Sequence, residues 1–261
     1  MRYFIEMAYN GTPFSGWQVQ PGQETVQGVL EHALTLLLRE AVAVTGCGRT
    51  DTGVHARQFF AHFDTELPLD TTRLCDKLNS FLPKEIAIYR IFPVKDDLHA
   101  RFSAVARTYR YYVAVSKECF RFPYTCREFH PLDVAKMNEA AAILLRTVDF
   151  TSFSKLHTQV NNNNCKVTEA VWSEENGLLV FTITADRFLR NMVRAVVGTL
   201  LQVGRGKLSV EEFGQIVERK DRCAAGDSAP AHALFLERVV YSDGLGMNDV
   251  KETQRQIRCQ F

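Results

Sequence analysis

The chain has 261 residues and a formal net charge of +1, with 31 Lys and Arg against 30 Asp and Glu. Its composition is 46% hydrophobic and 23% charged, which is typical of globular proteins and excludes a disordered or collagen-like chain. The length fits one or two domains and allows a core that needs neither disulfides nor metal. The near-neutral charge, taken alone, argues against a nucleic-acid partner.

The first part of the chain combines alternating strands with amphipathic helices. Residues 2–9 alternate like a strand, and residues 24–40 carry one apolar helical face. The order is β-α-β-β-α-β, which is typical of a ferredoxin-like unit. The predicted elements are strands over 2–9, 42–47, 58–63 and 86–94, and helices over 24–40 and 70–81.

The rest of the chain loosely repeats this order. Asn176-Gly177 predicts a tight hairpin turn between two strands. We therefore expect two α/β halves, 1–104 and 105–243, that share one sheet with a cleft where they meet, and a tail over 244–261. The predicted elements are strands over 104–115, 150–154, 167–173, 178–185 and 234–241, and helices over 133–146, 188–203 and 209–219.

Several features predict a cytoplasmic protein. No apolar run reaches the length of about 18 residues that a membrane-spanning helix needs. Glu6 interrupts the apolar N-terminal stretch, so we expect no signal peptide. The seven cysteines are scattered without a C-x-x-C pair, which favours free thiols in a reducing compartment over disulfides or a zinc site.

The most unusual stretch is 46–57, with the sequence GCGRTDTGVHAR. Its glycines permit tight turns and a close approach of the backbone to a ligand. Asp51 lies among them near Arg49, and a carboxylate beside an arginine stays ionised and can act as a nucleophile or a base. A plain surface turn is an open alternative, because Asp and Gly are common turn residues. A reactive pair of Cys47 and His55 is a second open alternative.

A second segment, 101–127, contains six Lys or Arg and one acid. Within it, residues 107–112 alternate basic and aromatic side chains, which suits RNA because arginine binds phosphates while a ring stacks on an unpaired base. In a strand, Arg107, Tyr109 and Tyr111 share one face. A half-buried strand with a solvated face explains the same pattern.

A third segment, 187–207, contains five Lys or Arg and no acid. On a helix, Arg187, Arg190 and Arg194 follow one another at spacings of three or four residues, where like charges repel. Phosphates, or a carboxylate such as Asp51, would compensate them. The arginines that we expect to contact the RNA backbone are Arg101, Arg107, Arg110, Arg187 and Arg190.

Taken together, the motifs resemble those of the TruA-type tRNA pseudouridine synthases. Thr52 stands where the family usually carries Ala, and residues 227–230 are a variant of a more Thr-rich family segment. The motifs follow the family's order over nearly all of residues 1–241. They are YNGT (9–12), GWQ (16–18), TVQ (25–27), GRTDTGVHA (48–56), HARFSA (99–104), RTYRY (107–111), DFTSF (149–153) and MVR (192–194).

This resemblance implies an α+β pseudouridine synthase fold, in which two ferredoxin-like halves share a mostly antiparallel sheet with a central cleft. It implies an isomerase that converts uridine to pseudouridine in the tRNA anticodon stem-loop, at positions 38, 39 and 40. It also implies a homodimer that uses no cofactor and no metal. A non-catalytic RNA-binding protein of the same fold, or a related synthase with other RNA targets, are the alternatives.

The resemblance also assigns roles to individual residues. Asp51 matches the nucleophile, which attacks the ribose or the uracil ring, and Arg194 matches the arginine that pairs with it. Tyr109 matches the tyrosine that stacks on the target uracil and assists proton removal from C5. Arg49 matches the arginine that fills the space left by the flipped base.

The net charge of the chain hides a local separation of charge. The two basic segments, 101–127 and 187–207, hold eleven Lys or Arg and one acid, which leaves the remaining residues at −9. Nucleic acid responds to the field at one face of a protein, and not to its total charge. We therefore expect a basic cleft on an otherwise acidic body.

Overall fold

A computed structural model describes residues 1–155 and 162–242 of the chain. In this part, nine strands form one sheet, and five α-helices accompany it. The predicted tail over 244–261 lies outside the described residues. The first half contains β1 (Arg2–Tyr9), α1 (Val26–Leu38), β2 (Thr45–Gly46), β3 (His55–Asp64), α2 (Thr71–Phe81) and β4 (Ile86–Val94).

The second half repeats the pattern with one short strand and one helix added. Asn176 and Gly177 take positive φ angles of 51° and 75°, so the predicted hairpin turn is confirmed. The elements are β5 (Ala104–Ala114), β6 (Cys126–Arg127), α3 (Val134–Ile143), β7 (Val167–Glu175), β8 (Leu178–Ala185), α4 (Met192–Gly204), α5 (Val210–Arg219) and β9 (Leu234–Tyr241).

The sheet has the order β4-β1-β3-β9-β5-β8-β7, with β2 on β3 and β6 on β5. In the first half, β1 lies between β4 and β3, and β2 pairs with β3. In the second half, β5 lies between β9 and β8, and β7 pairs with β8. This confirms two ferredoxin-like halves in a mostly antiparallel sheet. The halves join where β3 and β9 run parallel, with His55 opposite Phe235 and Ala56 opposite Leu236.

Strand β2 is shorter than the predicted strand over 42–47. Only Thr45 and Gly46 pair with β3, opposite His62 and Ala61. The same edge of β3 pairs with β9 at its other end, so the two strands divide that edge. The chain between Gly46 and β3 is therefore free to form a loop.

Two further predictions were wrong. The predicted strand over 150–154 is a 3₁₀ turn at Thr151–Phe153, because the Asp149 carboxylate accepts hydrogen bonds from the backbone and hydroxyl of Thr151. The predicted helix over 188–203 begins only at Met192, because Asn191 has a φ of 66°, outside the helical region.

Each half has its own hydrophobic core, and the two cores interlock. Val54 belongs to the core of the second half, while Leu236 and Val239 belong to the core of the first. Tyr109 packs against both cores, which fixes its ring at the junction. The domain boundary between residues 104 and 105 stays a prediction.

Among the described residues, no helix is long and apolar enough to span a membrane. Six of the seven cysteines are described, and each is a free thiol.

Candidate active site

Asp51 lies in the loop between β2 and β3, near the junction of the halves. The loop turns at Asp51, whose carbonyl accepts a hydrogen bond from the Val54 amide at 3.1 Å, and Gly53 adopts a φ of 78°. About a quarter of the Asp51 side chain is exposed (26%). A ligand can therefore reach the carboxylate while the backbone beneath it stays fixed.

The N-terminal loop over 10–17 supports this turn from below. Trp17 donates its backbone N–H to the Thr50 carbonyl at 3.3 Å, and the Tyr9 hydroxyl lies 2.9 Å from the Thr50 hydroxyl in a buried contact. The Trp17 ring also packs on Phe59, with ring centroids 4.1 Å apart. The residue next to Asp51 is thus held through both its backbone and its side chain.

Two glycines of this loop allow the close approach. A Cβ at Gly16 would lie 2.4 Å from the Thr50 carbonyl oxygen, and Gly16 has a φ of 82°. A Cβ at Gly11 would lie 2.0 Å from the Val54 carbonyl oxygen. Sequence reasoning gave this loop no role in the site, although Gly11 and Gly16 stand in two of the family-like motifs.

Arg194, in the first turn of α4, faces Asp51. Its Nη1 lies 3.5 Å from Asp51 Oδ2, and Arg190 Nε lies 3.9 Å from Asp51 Oδ1. Arg194 is 22% exposed and Arg190 59%, so solvent screens the pair with Arg190 more strongly. The structure brings together the carboxylate and the arginine that the motifs pair.

The segment over 226–229 orients the Arg194 side chain. The Ala229 carbonyl accepts a hydrogen bond from Arg194 Nε at 2.7 Å, while the Ala229 amide donates to the Arg194 carbonyl. The segment approaches α4 closely at Gly198, where a Cβ would lie 1.8 Å from the Asp227 carbonyl oxygen. With Nε fixed, the terminal nitrogens of Arg194 point at Asp51.

Tyr109 presents its ring at the junction, in an edge-to-face contact with Phe188 at 4.9 Å between centroids. Burial raises the pKa of the Tyr109 hydroxyl, the Cys47 thiol and the Asp51 carboxylate raise it further, and Arg107 opposes them. The phenol therefore stays protonated near neutral pH. Sequence reasoning gave Phe188 no role, because it placed this residue at the start of the predicted helix over 188–203.

Three of the predicted arginines form a basic cluster with the site. Arg101 and Arg49 are exposed, and Arg187 is partly exposed. Burial of part of its side chain lowers the pKa of Arg101, and the nearby charges of Arg49, Arg107 and Arg187 lower it further. Because these cations repel one another, an anion bound among them relieves the repulsion.

The other two predicted arginines of β5 are engaged within the protein. Arg110 pairs with Glu175 and lies over the Tyr112 ring at 5.6 Å, on the face of β5 opposite to Tyr109. Arg107 donates to backbone carbonyls only. The Arg107 guanidinium lies beside Arg101 but has its terminal N–H groups engaged, whereas Arg110 lies on the opposite face. Contact of either side chain with RNA stays a prediction.

His55 has a structural role, through partners that the sequence did not identify. Its Nδ1 accepts a hydrogen bond from the Gly11 amide at 3.0 Å, so Nε2 carries the hydrogen and donates to the His232 carbonyl at 2.9 Å. Burial lowers the pKa of His55 and so favours this neutral ring. Since both nitrogens are engaged, His55 does not pair with Cys47, whose thiol pKa burial raises to about 11.

The described residues contain no grouping of three or more His, Cys, Asp or Glu side chains arranged for a metal ion. The charged side chains nearest the Asp51 carboxylate are instead those of Arg194 and Arg190. This set suits an anionic substrate.

Comparison with known proteins connects this site with one family. A family model described as tRNA pseudouridine synthase matches residues 6–103 and 140–242. The chain is 54% identical to tRNA pseudouridine synthase A of Porphyromonas gingivalis over 248 residues, 94% of this chain and 98% of that protein. The protein of the same name from Bacteroides thetaiotaomicron is 53% identical, with 97% of this chain and 95% of that protein covered. The one from Bacillus subtilis is 42% identical, with 93% and 100% covered.

The chain belongs to the tRNA pseudouridine synthase family. Membership confirms the resemblance carried by the motifs. The matched ranges include Asp51, Arg101 and Arg194, whereas Tyr109 falls in the stretch between them. Tyr109 is therefore supported by its place at the junction and by its motif.

Proposed function

We propose that this chain isomerises uridine to pseudouridine in tRNA, with Asp51 as the nucleophile. The observation that carries the proposal is the Asp51 carboxylate, 3.5 Å from Arg194 and within electrostatic reach of Tyr109. From the family resemblance, we infer that the target uridines lie in the anticodon stem-loop, at positions 38, 39 and 40.

The reaction rearranges bonds within one nucleotide. The bond between ribose C1′ and uracil N1 breaks, the uracil turns, and a bond between C1′ and C5 forms. The C5 proton is lost and N1 gains a proton, so nothing is added overall and no cofactor is needed. Asp51 attacks either the ribose or the uracil ring and is released when the new bond is complete.

Arg194 serves this step by compensating and directing the Asp51 carboxylate. The Ala229 carbonyl holds Arg194 Nε, so the guanidinium does not need to reorganise during attack. Arg190 adds a second, more exposed cation on the other carboxylate oxygen. The carboxylate is thus presented with a fixed direction.

Tyr109 binds the target uracil. Its ring, with Phe188 set edge-on beside it, gives a flat surface on which the flipped uracil can stack. Because burial raises its pKa, the hydroxyl is not a standing phenolate, so it can take up the C5 proton only while it passes its own proton to a further acceptor. Base flipping is needed because the reacting atoms are inaccessible inside a stacked helix.

The exposed arginines serve the RNA backbone. Arg101 and Arg187 bind phosphates on either side of the target nucleotide, and Arg49 enters the space that the base leaves. Their electrostatic coupling in one cluster supports this assignment. Phosphate contacts of this kind position the RNA and carry no sequence information.

The proposal is tested by tritium release from C5-labelled uridine in tRNA transcripts. We expect release with the wild type and none with Asp51→Asn, which keeps the size of the side chain and removes its charge. Asp64→Asn is the matched control, because Asp64 pairs with Arg2 at the far end of β3, about 30 Å along the strand from His55. Chemical probing of the product then maps the modified positions.

Two results would overturn parts of this proposal. Release that survives in Asp51→Asn removes Asp51 as the nucleophile. Absence of release from every tRNA with the wild type, despite binding, favours a binding protein without isomerase activity.

The assembly and location follow from the family resemblance alone. We infer a homodimer that works in the cytoplasm, where tRNA is available. Light scattering coupled to gel filtration should give about twice the chain mass of 29.6 kDa, and a monomer at micromolar concentration contradicts the dimer.

A further inference from the structure

Arg107 hydrogen-bonds four backbone carbonyls. Its Nη1 donates to Ala104 at 3.1 Å and to Asp186 at 2.7 Å, and its Nη2 donates to Cys47 at 3.0 Å and to Arg101 at 2.6 Å. Two terminal nitrogens carry four N–H groups, so every one of them has an acceptor.

These carbonyls belong to segments that are far apart in sequence. Cys47 begins the loop that leads to Asp51, and its carbonyl is 60 residues from Arg107. Asp186 precedes Arg187 and Phe188 and is 79 residues away. A single guanidinium therefore connects the loop of the first half with the segment of the second half that flanks Tyr109.

The chemistry of the side chain suits this position. The planar guanidinium offers donors in a fixed fork, whereas a lysine offers one compact ammonium on a flexible stem. Its positive charge also lies beside carbonyl oxygens, which strengthens each hydrogen bond. Because its terminal N–H groups are already engaged, Arg107 has none of them free for a phosphate.

We propose that Arg107 is a positioning residue, which holds the Asp51 loop in register with the Tyr109 surface and does not bind RNA. The inference rests on the proposed function, since its catalytic readout is uridine isomerisation. A displacement of about 1 Å at a reacting group is enough to lower a rate about 100-fold.

The central test compares Arg107→Lys with Arg101→Ala. In single-turnover reactions at saturating enzyme, we expect Arg107→Lys to lower the rate by about 100-fold. Its affinity for tRNA and the slope of log affinity against log salt should match the wild type. Arg101→Ala, at an exposed member of the basic cluster, should instead weaken binding and reduce that slope by about one unit.

Two results would overturn the proposal. An Arg107→Lys variant that keeps the wild-type rate shows that the fork is not needed. An Arg107→Ala variant whose salt slope falls as far as that of Arg101→Ala shows that Arg107 binds a phosphate.

The variant Arg205→Lys distinguishes a loss of positioning at the site from a general loss of stability. Arg205 forms a partly buried ion pair with Glu128, away from Asp51. This variant should lower the melting temperature and keep the single-turnover rate. A rate that falls with melting temperature in both arginine variants assigns Arg107 a merely structural role.

Hydrogen exchange gives a readout that does not depend on activity. The amides of Cys47 and Val54 are hydrogen-bonded at the two ends of the loop. In Arg107→Lys they should exchange faster, while amides in β1 keep their protection. Unchanged protection of the loop contradicts the positioning role of Arg107. This result can be obtained even if the wild type isomerises no tRNA, so it is distinct from a failure of the proposed function.

Discussion

Tyr109 joins a fixed ring to a protonated hydroxyl. Both cores pack against the ring, and Phe188 meets it edge-on. Burial raises the hydroxyl pKa, so the phenol is protonated near neutral pH. The two parts of the side chain can therefore be separated by substitution.

Tyr109→Phe should keep more activity than Tyr109→Ala, because phenylalanine retains the stacking surface. Loss of stacking costs about 1–3 kcal/mol, so the alanine variant should lose roughly 5- to 150-fold in tritium release. Tyr112→Phe, on the opposite face of β5, is the control and should behave like the wild type. Equal losses in Tyr109→Phe and Tyr109→Ala would assign the main role to the hydroxyl.

His62 makes stability depend on pH. Burial lowers its pKa from 6.5 to about 4, and the charges of Arg2 and His99 add to the effect. Its Nδ1 accepts the Ala100 amide in a buried hydrogen bond. Protonation is thus easier in the unfolded chain, and the folded state loses stability as pH falls from 6.5 towards 4.

We expect the free energy of unfolding to drop by about 3 kcal/mol over this window from His62 alone. Urea titrations at several pH values measure it. His62→Asn keeps an acceptor near the Ala100 amide and does not titrate, so its profile should be flatter. The exposed His32→Asn is the control, and a His62→Asn profile as steep as the wild type contradicts the assignment.

At the scale of elements, the loop over 10–17 supports the proposed active site. Gly11 and Gly16 let it lie directly against the loop that carries Asp51. His55 adds a hydrogen bond to the same loop through Gly11. The position of Asp51 therefore depends on a segment that precedes α1.

Gly16→Ala should lower isomerase activity by at least 10-fold, because the new methyl group would push on the Thr50 carbonyl next to Asp51. Gly22→Ala is a matched control, since Gly22 has a φ of 71° with open space around it. Both variants carry the strain of a positive φ, about 1–3 kcal/mol. Similar rates for the two variants would show that the contact with Thr50 does not matter.

The elements that the sequence predicts well are those with strong periodicity. The strands over 86–94 and 234–241 match β4 and β9 at both ends, because alternation and flanking polar residues mark them locally. The start of α4 was missed, because Asn191 leaves the helical region to bond Ser228, a contact 37 residues away. For the same reason, the sequence did not predict the contact of Phe188 with Tyr109.

The candidate site shows the same limit. Asp51 stands out because its loop is rich in glycine and charge, and Arg194 because its segment lacks acids. Nothing local distinguishes Arg101, which stays exposed, from Arg107, two of whose four acceptors are distant in sequence. Arginine composition predicts a basic region, whereas tertiary contacts decide which members are free.

For the whole molecule, the balance of charge predicts how binding responds to salt. The protein is near neutral in total, yet the charges of Arg49 and Arg187 act on Arg101 within one basic cluster. Each phosphate that such a cation neutralises releases counterions, which gives the affinity a slope of about −0.7 to −0.9 against log salt.

Replacing all three cluster arginines with Gln should therefore flatten the salt dependence of tRNA binding by about two to three units. Fluorescence anisotropy with labelled tRNA over a salt series measures the slope. A matched control replaces three exposed arginines elsewhere, Arg73 on α2, Arg146 after α3 and Arg219 on α5. Both triple variants change the net charge equally, so a difference between their salt slopes reflects where the removed charges lie. Equal flattening in the two would mean that total charge, and not a basic face at the junction of the halves, attracts the RNA.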